Sequence, residues 1–346
     1  VKLLLSLFFL VATFSLTNAQ VQLSTPLEIL TFMEASPTQY ELEQLYGEVP
    51  AKERKVLPHG AYIQAIDGRE HQLEYKDTET EEQIAWREKA RDIVSIENPN
   101  YEKARRYYHK ILKKNPQHAQ VYTWIGESYY EEKNYKKAAT WLNKAIELNP
   151  IDYLARWLSA EILLKKGQID SALYTLTLAH IYNRNHPRLI KRLVEVYEQQ
   201  GQWYYRNWGF DPLMYIYKDG ETVVVTAEGI WLTYGMYKAV WNYDTDYQYI
   251  KEQQEVTDYL FQQEMEAIIG TYMTYTNLKK DDKRNYPVMN AFGLCLDHEM
   301  VEEFVLYEIL LVDKPSLSHH ITPLFMKRVI KYIAQIRSVD YVIDEE

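Results

Sequence analysis

Between Tyr101 and Gly201 the chain repeats itself every 34 residues, and a register of that length leaves few folds open. Tyr101, Tyr135 and Ile169 stand in step, as do Ala104, Ala138 and Ala172, then Tyr108, Leu142 and Leu176, then Asn115-Pro116 and Asn149-Pro150. A fixed period of about 20–50 residues marks a stack of supersecondary units, none of which can bury its apolar face alone. An Ala and aromatic stripe at helical spacing would suit an ordinary bundle. The recurrence of Ala, large apolar and Asn-Pro at one period favours a short solenoid instead.

The clearest unit runs from Ala119 to Asp152. It reads Tyr122-x2-Ile125-Gly126-x2-Tyr129, then Ala138-x3-Leu142-x2-Ala145, then Pro150. In these residues and spacings it resembles the tetratricopeptide repeat, a hairpin of two antiparallel helices. Gly126 and Ala138 then belong where the helices cross and only small side chains fit. Tyr129 and Leu142 would fill the space beside that crossing, and Pro150 would open the turn to the next unit. The following unit, 153–186, keeps Ala160, Leu163, Gly167, Ala172, Leu176 and Ala179, but carries Arg156 and Ser159 at apolar places and Arg184 in place of the proline. The preceding unit keeps its second helix, with Tyr101, Ala104, Tyr108, Ile111 and Pro116. Its first helix, 81–96, departs at Arg91, Asp92 and Ser95. A last first helix keeps Ile190, Leu193, Tyr197 and Gly201 before the pattern stops.

The resemblance implies a concave groove lined by the first helix of each hairpin. Its groove positions fall on Gln120, Thr123, Glu127, Tyr130 and Glu131, then Leu154, Trp157, Glu161, Leu164 and Lys165, then Arg188, Lys191, Glu195, Glu198 and Gln199. Glu127, Glu161 and Glu195 recur in one row. An acidic row repels a C-terminal carboxylate, so the expected guest is a basic or neutral protein segment, with aromatic contact at Trp157 or Tyr130. The competing reading is a solvated face whose glutamates pair with nearby lysines.

Residues 1–19 read as a signal peptide: Lys2, an apolar run from Leu3 to Leu16, and Thr17-Asn18-Ala19 before Gln20. That run is shorter than the roughly 20 residues a membrane span needs, and no later window is apolar and charge-free for that length, so no stable span is expected after its removal and the protein is expected to be periplasmic or secreted. The formal charge of −10 argues against nucleic acid as a partner. Cys295 is the single cysteine, which precludes an intramolecular disulfide. Packing must supply stability, and 31 tyrosines and 8 tryptophans are suited to it.

Outside the repeats, Pro26 to Ala35 and Tyr40 to Tyr46 suggest two short helices, with strands at Ala61 to Ile66 and His71 to Tyr75. Asp77 to Glu82 reads as an acidic linker. After Gly201, Asp219-Gly220 signals a β-hairpin between Leu213 to Lys218 and Glu221 to Glu228. Helices are expected over 230–243, 254–275, 297–311 and 322–337, and the segment Trp203 to Phe210 should pack on the last repeat helix.

Three further features invite chemistry. Trp231, Tyr234, Tyr237 and Trp241 share one helix face, which serves either as core or as a glycan-stacking platform. His298 and Glu302 are one helical turn apart, with His319 and His320 as a further source of metal ligands, but the zinc-protease pattern lacks its second histidine. Cys295 lies among apolar neighbours, which suit an inert buried thiol. No phosphate-binding glycine loop, nucleophile elbow or dinucleotide fingerprint occurs, and no cofactor is expected.

The chain is therefore expected to be mainly α, a short α-solenoid of helical hairpins at 81–201 between a lead-in region at 20–80 and an α+β block at 202–346. The expected function is to bind or scaffold a protein partner without catalysis. The rivals are a hydrolase, with or without a metal, whose C-terminal block carries the chemistry while the repeats recruit substrate, and a glycan-binding module.

Overall fold

The computed structural model describes residues 23–47, 49, 54–66, 69–204, 208–253, 256–283 and 285–340. The expected signal peptide lies outside them. The fold is mainly α, and the described residues form two compact units, one drawn from 1–46 and 213–277 and the other from 47–212 and 278–346. Parts of the lead-in region and of the C-terminal block occur in both units.

In the larger unit the 34-residue register becomes consecutive helical hairpins: Glu81–Val94 with Tyr101–Lys114, Ala119–Glu131 with Tyr135–Leu148, and Tyr153–Lys165 with Ile169–Tyr182, followed by Pro187–Gln199. Asn100, Asn134 and Asp152 cap three of these helices by accepting from the backbone N–H three residues on. The crossing behaves as the small residues require. Ala138 and Leu142 are fully buried, and a Cβ on Gly126 would come within 2.7 Å of the Leu142 side chain. Small side chains are the means of close approach here, since Ala104, Ala138 and Ala172 are all inaccessible or nearly so.

Departures from the repeat have local reasons. Arg156 donates twice to the Pro150 carbonyl, at 3.0 and 2.9 Å, and lies 5.0 Å from the Tyr182 ring centroid. Helix Glu81–Val94 lacks the motif yet packs on its partner through Trp86, Ala90, Ile93 and Val94. The expected linker before it is structured as well: Tyr75–Thr78 forms a 3-10 turn, and Thr80 and Gln83 close a capping box.

The end of the solenoid packs against the strand Gln202–Tyr204 and against parts of 287–340. Tyr204 of the short strand Gln202–Tyr204 meets Tyr197 at 5.7 Å, as expected, and Trp208 and Phe210 pack on Phe304. Arg184, standing where a repeat proline is usual, donates to the Tyr307 carbonyl and to Glu308 at 3.0 and 3.1 Å. Glu308 is 1 % exposed and also accepts from Arg337 at 2.7 and 2.6 Å and from Tyr332 at 2.8 Å. Two cations thus meet at one carboxylate. Aromatic faces stand over both cations: Arg184 is 4.2 Å from the Tyr307 centroid and Arg337 3.8 Å from that of Trp208. Glu308 and Arg337 both lie in π-helical turns, Val305–Leu310 and Ile333–Arg337.

In the smaller unit a three-stranded sheet has Thr222–Ala227 at its centre, antiparallel to Met214–Asp219 and parallel to Gln39–Gln44. The last strand corrects the helix expected from Tyr40 to Tyr46. Glu, Leu and Gln favour helix intrinsically, but Tyr40 and Leu42 alternate with Glu41 and Glu43, and that period places both apolar residues on the core around Val223 and Val225. The expected hairpin forms with Gly220-Glu221 as its two-residue loop, and only Gly220 takes a positive φ, +58°. Helix Trp231–Tyr243 covers the sheet, and Gly235 faces Val225 so closely that a Cβ would come within 2.6 Å. No helix among the described residues is long and apolar enough to cross a membrane.

Candidate binding groove

The first helices of successive hairpins carry the expected groove residues, but these fall into two groups. Toward the N-terminus of Ala119–Glu131, the groove positions are already engaged. Thr123 is buried and donates to Asp152 at 2.6 Å, while Gln120 donates to the His59 carbonyl at 2.8 Å. The ring of His59 sits between Trp124 and Tyr153 at 6.3 and 6.1 Å, and its Nε2 is 3.9 Å from Asp152. Burial holds the His59 imidazole below its ordinary range, partly offset by the Asp152 charge.

Toward the C-termini, Glu127, Tyr130, Glu131 and Lys165 remain at least partly open. Glu127 is half-buried and has no hydrogen-bond or ion-pair partner among the described residues. Its carboxyl is raised to about 7, first by burial and then by the charges of Glu131 and Asp152. Lys165 stands 6.0 Å from the Tyr130 ring centroid.

The acidic row is not uniform. Arg192 donates twice to Glu161, at 2.6 and 2.9 Å, and once to Glu195, at 3.1 Å. Trp157 donates its indole N–H to the same Glu161 at 3.1 Å. For Glu161 and Glu195 the paired-face reading therefore holds, with an arginine rather than a lysine as the partner. Glu127 alone of the three keeps an unpaired carboxyl. Lys191 is exposed.

Sequence reasoning missed the helix-end amides. Asn149 and Asn183 are buried and 34 apart, and each donates to main chain of the 54–61 segment. The period that marked Asn115 and Asn149 could have pointed to Asn183, because a buried polar side chain repeating in step needs a partner. It also missed Glu79, which is buried against His118 at 3.2 Å and Arg87 at 2.7 Å. Burial raises the Glu79 carboxyl, but the His118 and Arg87 contacts outweigh it and hold it below the carboxylate range.

The other candidate chemistries fare differently. Helix Pro287–Asp297 ends at His298, and Glu299 takes a φ of +58°, so His298 and Glu302 do not share the helix expected from Asp297 to Leu311. Glu302 instead accepts from Arg328 at 2.8 Å, and no group of three metal-ligating side chains occurs among the described residues. Trp231, Tyr234, Tyr237 and Trp241 are all 5 % exposed or less, which removes the stacking platform. Cys295 is buried with its thiol donating to the Ala291 carbonyl at 3.1 Å, and burial pushes its pKa up.

A tetratricopeptide repeat family model matches residues 96–150, spanning the second helix of the first hairpin and the whole of the second hairpin. The search of curated proteins found no match to the chain.

Proposed function

We propose that this chain holds a protein partner, without catalysing a reaction on it, against the open half of its repeat groove. The observation that carries the reading is Glu127: a half-buried carboxyl with no partner among the described residues, beside Glu131 and Tyr130 on one helix face. Such a carboxyl gains most from a cation, which would relieve both its desolvation and the repulsion from Glu131 and Asp152. The guest is accordingly a segment presenting Lys or Arg, with aliphatic or aromatic contact on Tyr130. The match to an interaction repeat supports a protein rather than a small-molecule ligand. The apolar run at Leu3 to Leu16 supports export, with the partner met in the periplasm or outside the cell.

The test is affinity capture with the full chain beside a Glu127→Lys, Glu131→Lys variant of unchanged circular dichroism. A partner identified by mass spectrometry should be lost from the variant. Retention of the same partners by the variant would overturn the reading.

A further inference from the structure

Residues 54–61 lie against the repeats in a way that resembles a bound ligand. Four alternate carbonyls of this segment accept from four carboxamide side chains of the repeats. Asn185 donates to Lys55 O at 2.8 Å, Asn183 to Leu57 O at 2.9 Å, Gln120 to His59 O at 2.8 Å and Asn149 to Ala61 O at 2.9 Å. Asn183 also accepts from the Leu57 N–H at 3.0 Å, so one amide reads both polar groups of one residue. The segment runs extended to Pro58, where alternate carbonyls point the same way, and then turns at His59-Gly60, with the Ala61 N–H donating to the Pro58 carbonyl at 3.2 Å. These contacts read main chain and carry no sequence information.

Sequence enters at three places. Leu57 and Ala61 are buried as apolar anchors. Gly60, at φ +97°, lies so close to Gln120 that a Cβ would come within 2.4 Å of its amide. Val56, just before Leu57, is 44 % exposed.

We infer that the repeats carry a second site, for a polypeptide that enters extended and turns at a glycine, with an aliphatic residue three positions before a Gly-Ala pair, and that the segment 54–61 occupies this site as a displaceable internal ligand. The site uses residues distinct from Glu127 and Glu131, but the inference rests on reading the repeat face as protein-binding. A tethered occupant competes at an effective concentration on the order of millimolar. An outside segment of the same chemistry therefore gains access only when it binds more tightly or when the strap is released.

The experiment uses the full chain, its Gly60→Val variant and a fluorescent peptide of residues 54–66. The substitution lies in the strap and leaves every carboxamide of the repeats in place. Hydrogen exchange at Leu57 and at 59–61 should be at least tenfold faster in the variant, with exchange in helices Ala119–Glu131 to Ile169–Tyr182 unchanged. The peptide should bind the variant saturably and the unaltered chain at least tenfold more weakly, and adding Asn183→Ala to the variant should weaken it again. Three results would each overturn the proposal: exchange of the repeat helices rising together with that of the strap, a released strap with no peptide binding, or strap exchange unaltered by the valine. None depends on Glu127, so failure here is distinguishable from failure of the capture experiment.

Discussion

Asn183 grips Leu57 at both its polar main-chain groups, accepting from the N–H at 3.0 Å and donating to the carbonyl at 2.9 Å, with Asn183 wholly buried and Leu57 nearly so. One side chain at the end of a repeat helix thus fixes a residue 126 positions earlier. The repeat supplies the geometry: the same helix-end place in the preceding unit, Asn149, holds Ala61.

Removing that side chain leaves two buried groups of Leu57 without partners. Asn183→Ala should cost about 1–3 kcal/mol by urea denaturation. A change within error would show that water or a shifted strap satisfies Leu57.

The helix crossing is the least forgiving place in the solenoid. Ala138 is inaccessible, and it packs in one core cluster with Leu142, Ala145, Ala155 and Ile162. Ala138→Leu should destabilise by about 1–3 kcal/mol through overpacking, read as a lowered Tm. A neutral result would contradict the crossing described for Gly126 and Leu142.

These two sites differ in how far the sequence announces them. Ala138 and Gly126 are readable because every repeat meets its neighbour in the same way, so a packing constraint returns at a fixed period. Asn183 recurs in step too, but its partner lies outside the repeat and has no period. The same holds elsewhere. Thr322 shows itself as an N-cap from local spacing alone, and it does accept from Phe325 N at 3.3 Å. The pairing of Gln39–Gln44 with Thr222–Ala227 joins distant segments, and local propensity pointed the other way. Arg184 looked like a decayed repeat position and is instead where the C-terminal helices attach. In the candidate groove, the types and places of Glu127, Glu161 and Glu195 were legible. That Arg192 pairs with two of them was not, because pairing depends on which rotamers meet across neighbouring helices.

The buried Glu308 makes a second stability test. Glu308→Gln would leave Arg184 and Arg337 without their shared counter-charge, and should destabilise by about 3–5 kcal/mol or prevent folding. Glu308→Gln combined with Arg337→Met removes one cation as well and should recover part of the loss. Equal destabilisation in the single and double variants would mean that the packing of Arg337 on Trp208 outweighs its charge.

Glu127 sets a pH dependence whose sign follows from its raised carboxyl. Between about 4.5 and 7 the native state keeps a proton that the unfolded chain has released, so its contribution to stability is full below that window and is lost as pH rises through it. Glu127→Gln should therefore stabilise the protein by about 1–3 kcal/mol at pH 8 and leave it nearly unchanged at pH 4.5. His59 acts in the opposite sense. Its lowered imidazole stabilises docking above pH 6.5 and loses that contribution as pH falls, so acid should speed hydrogen exchange at 57–61 after correction for intrinsic rates.

The central claim is that the open half of the groove takes a cationic protein segment at Glu127. The most direct measurement is fluorescence anisotropy of two extended nonapeptides, one alternating Lys with Gly and Leu and its Glu counterpart, titrated with the full chain and with a Glu127→Gln, Glu131→Gln variant at pH 8 and low salt. The account predicts saturable binding of the Lys peptide, at least tenfold weaker in the variant, with no binding of the Glu peptide. Equal binding of both peptides, or a Lys peptide indifferent to the loss of Glu127 and Glu131, would contradict it.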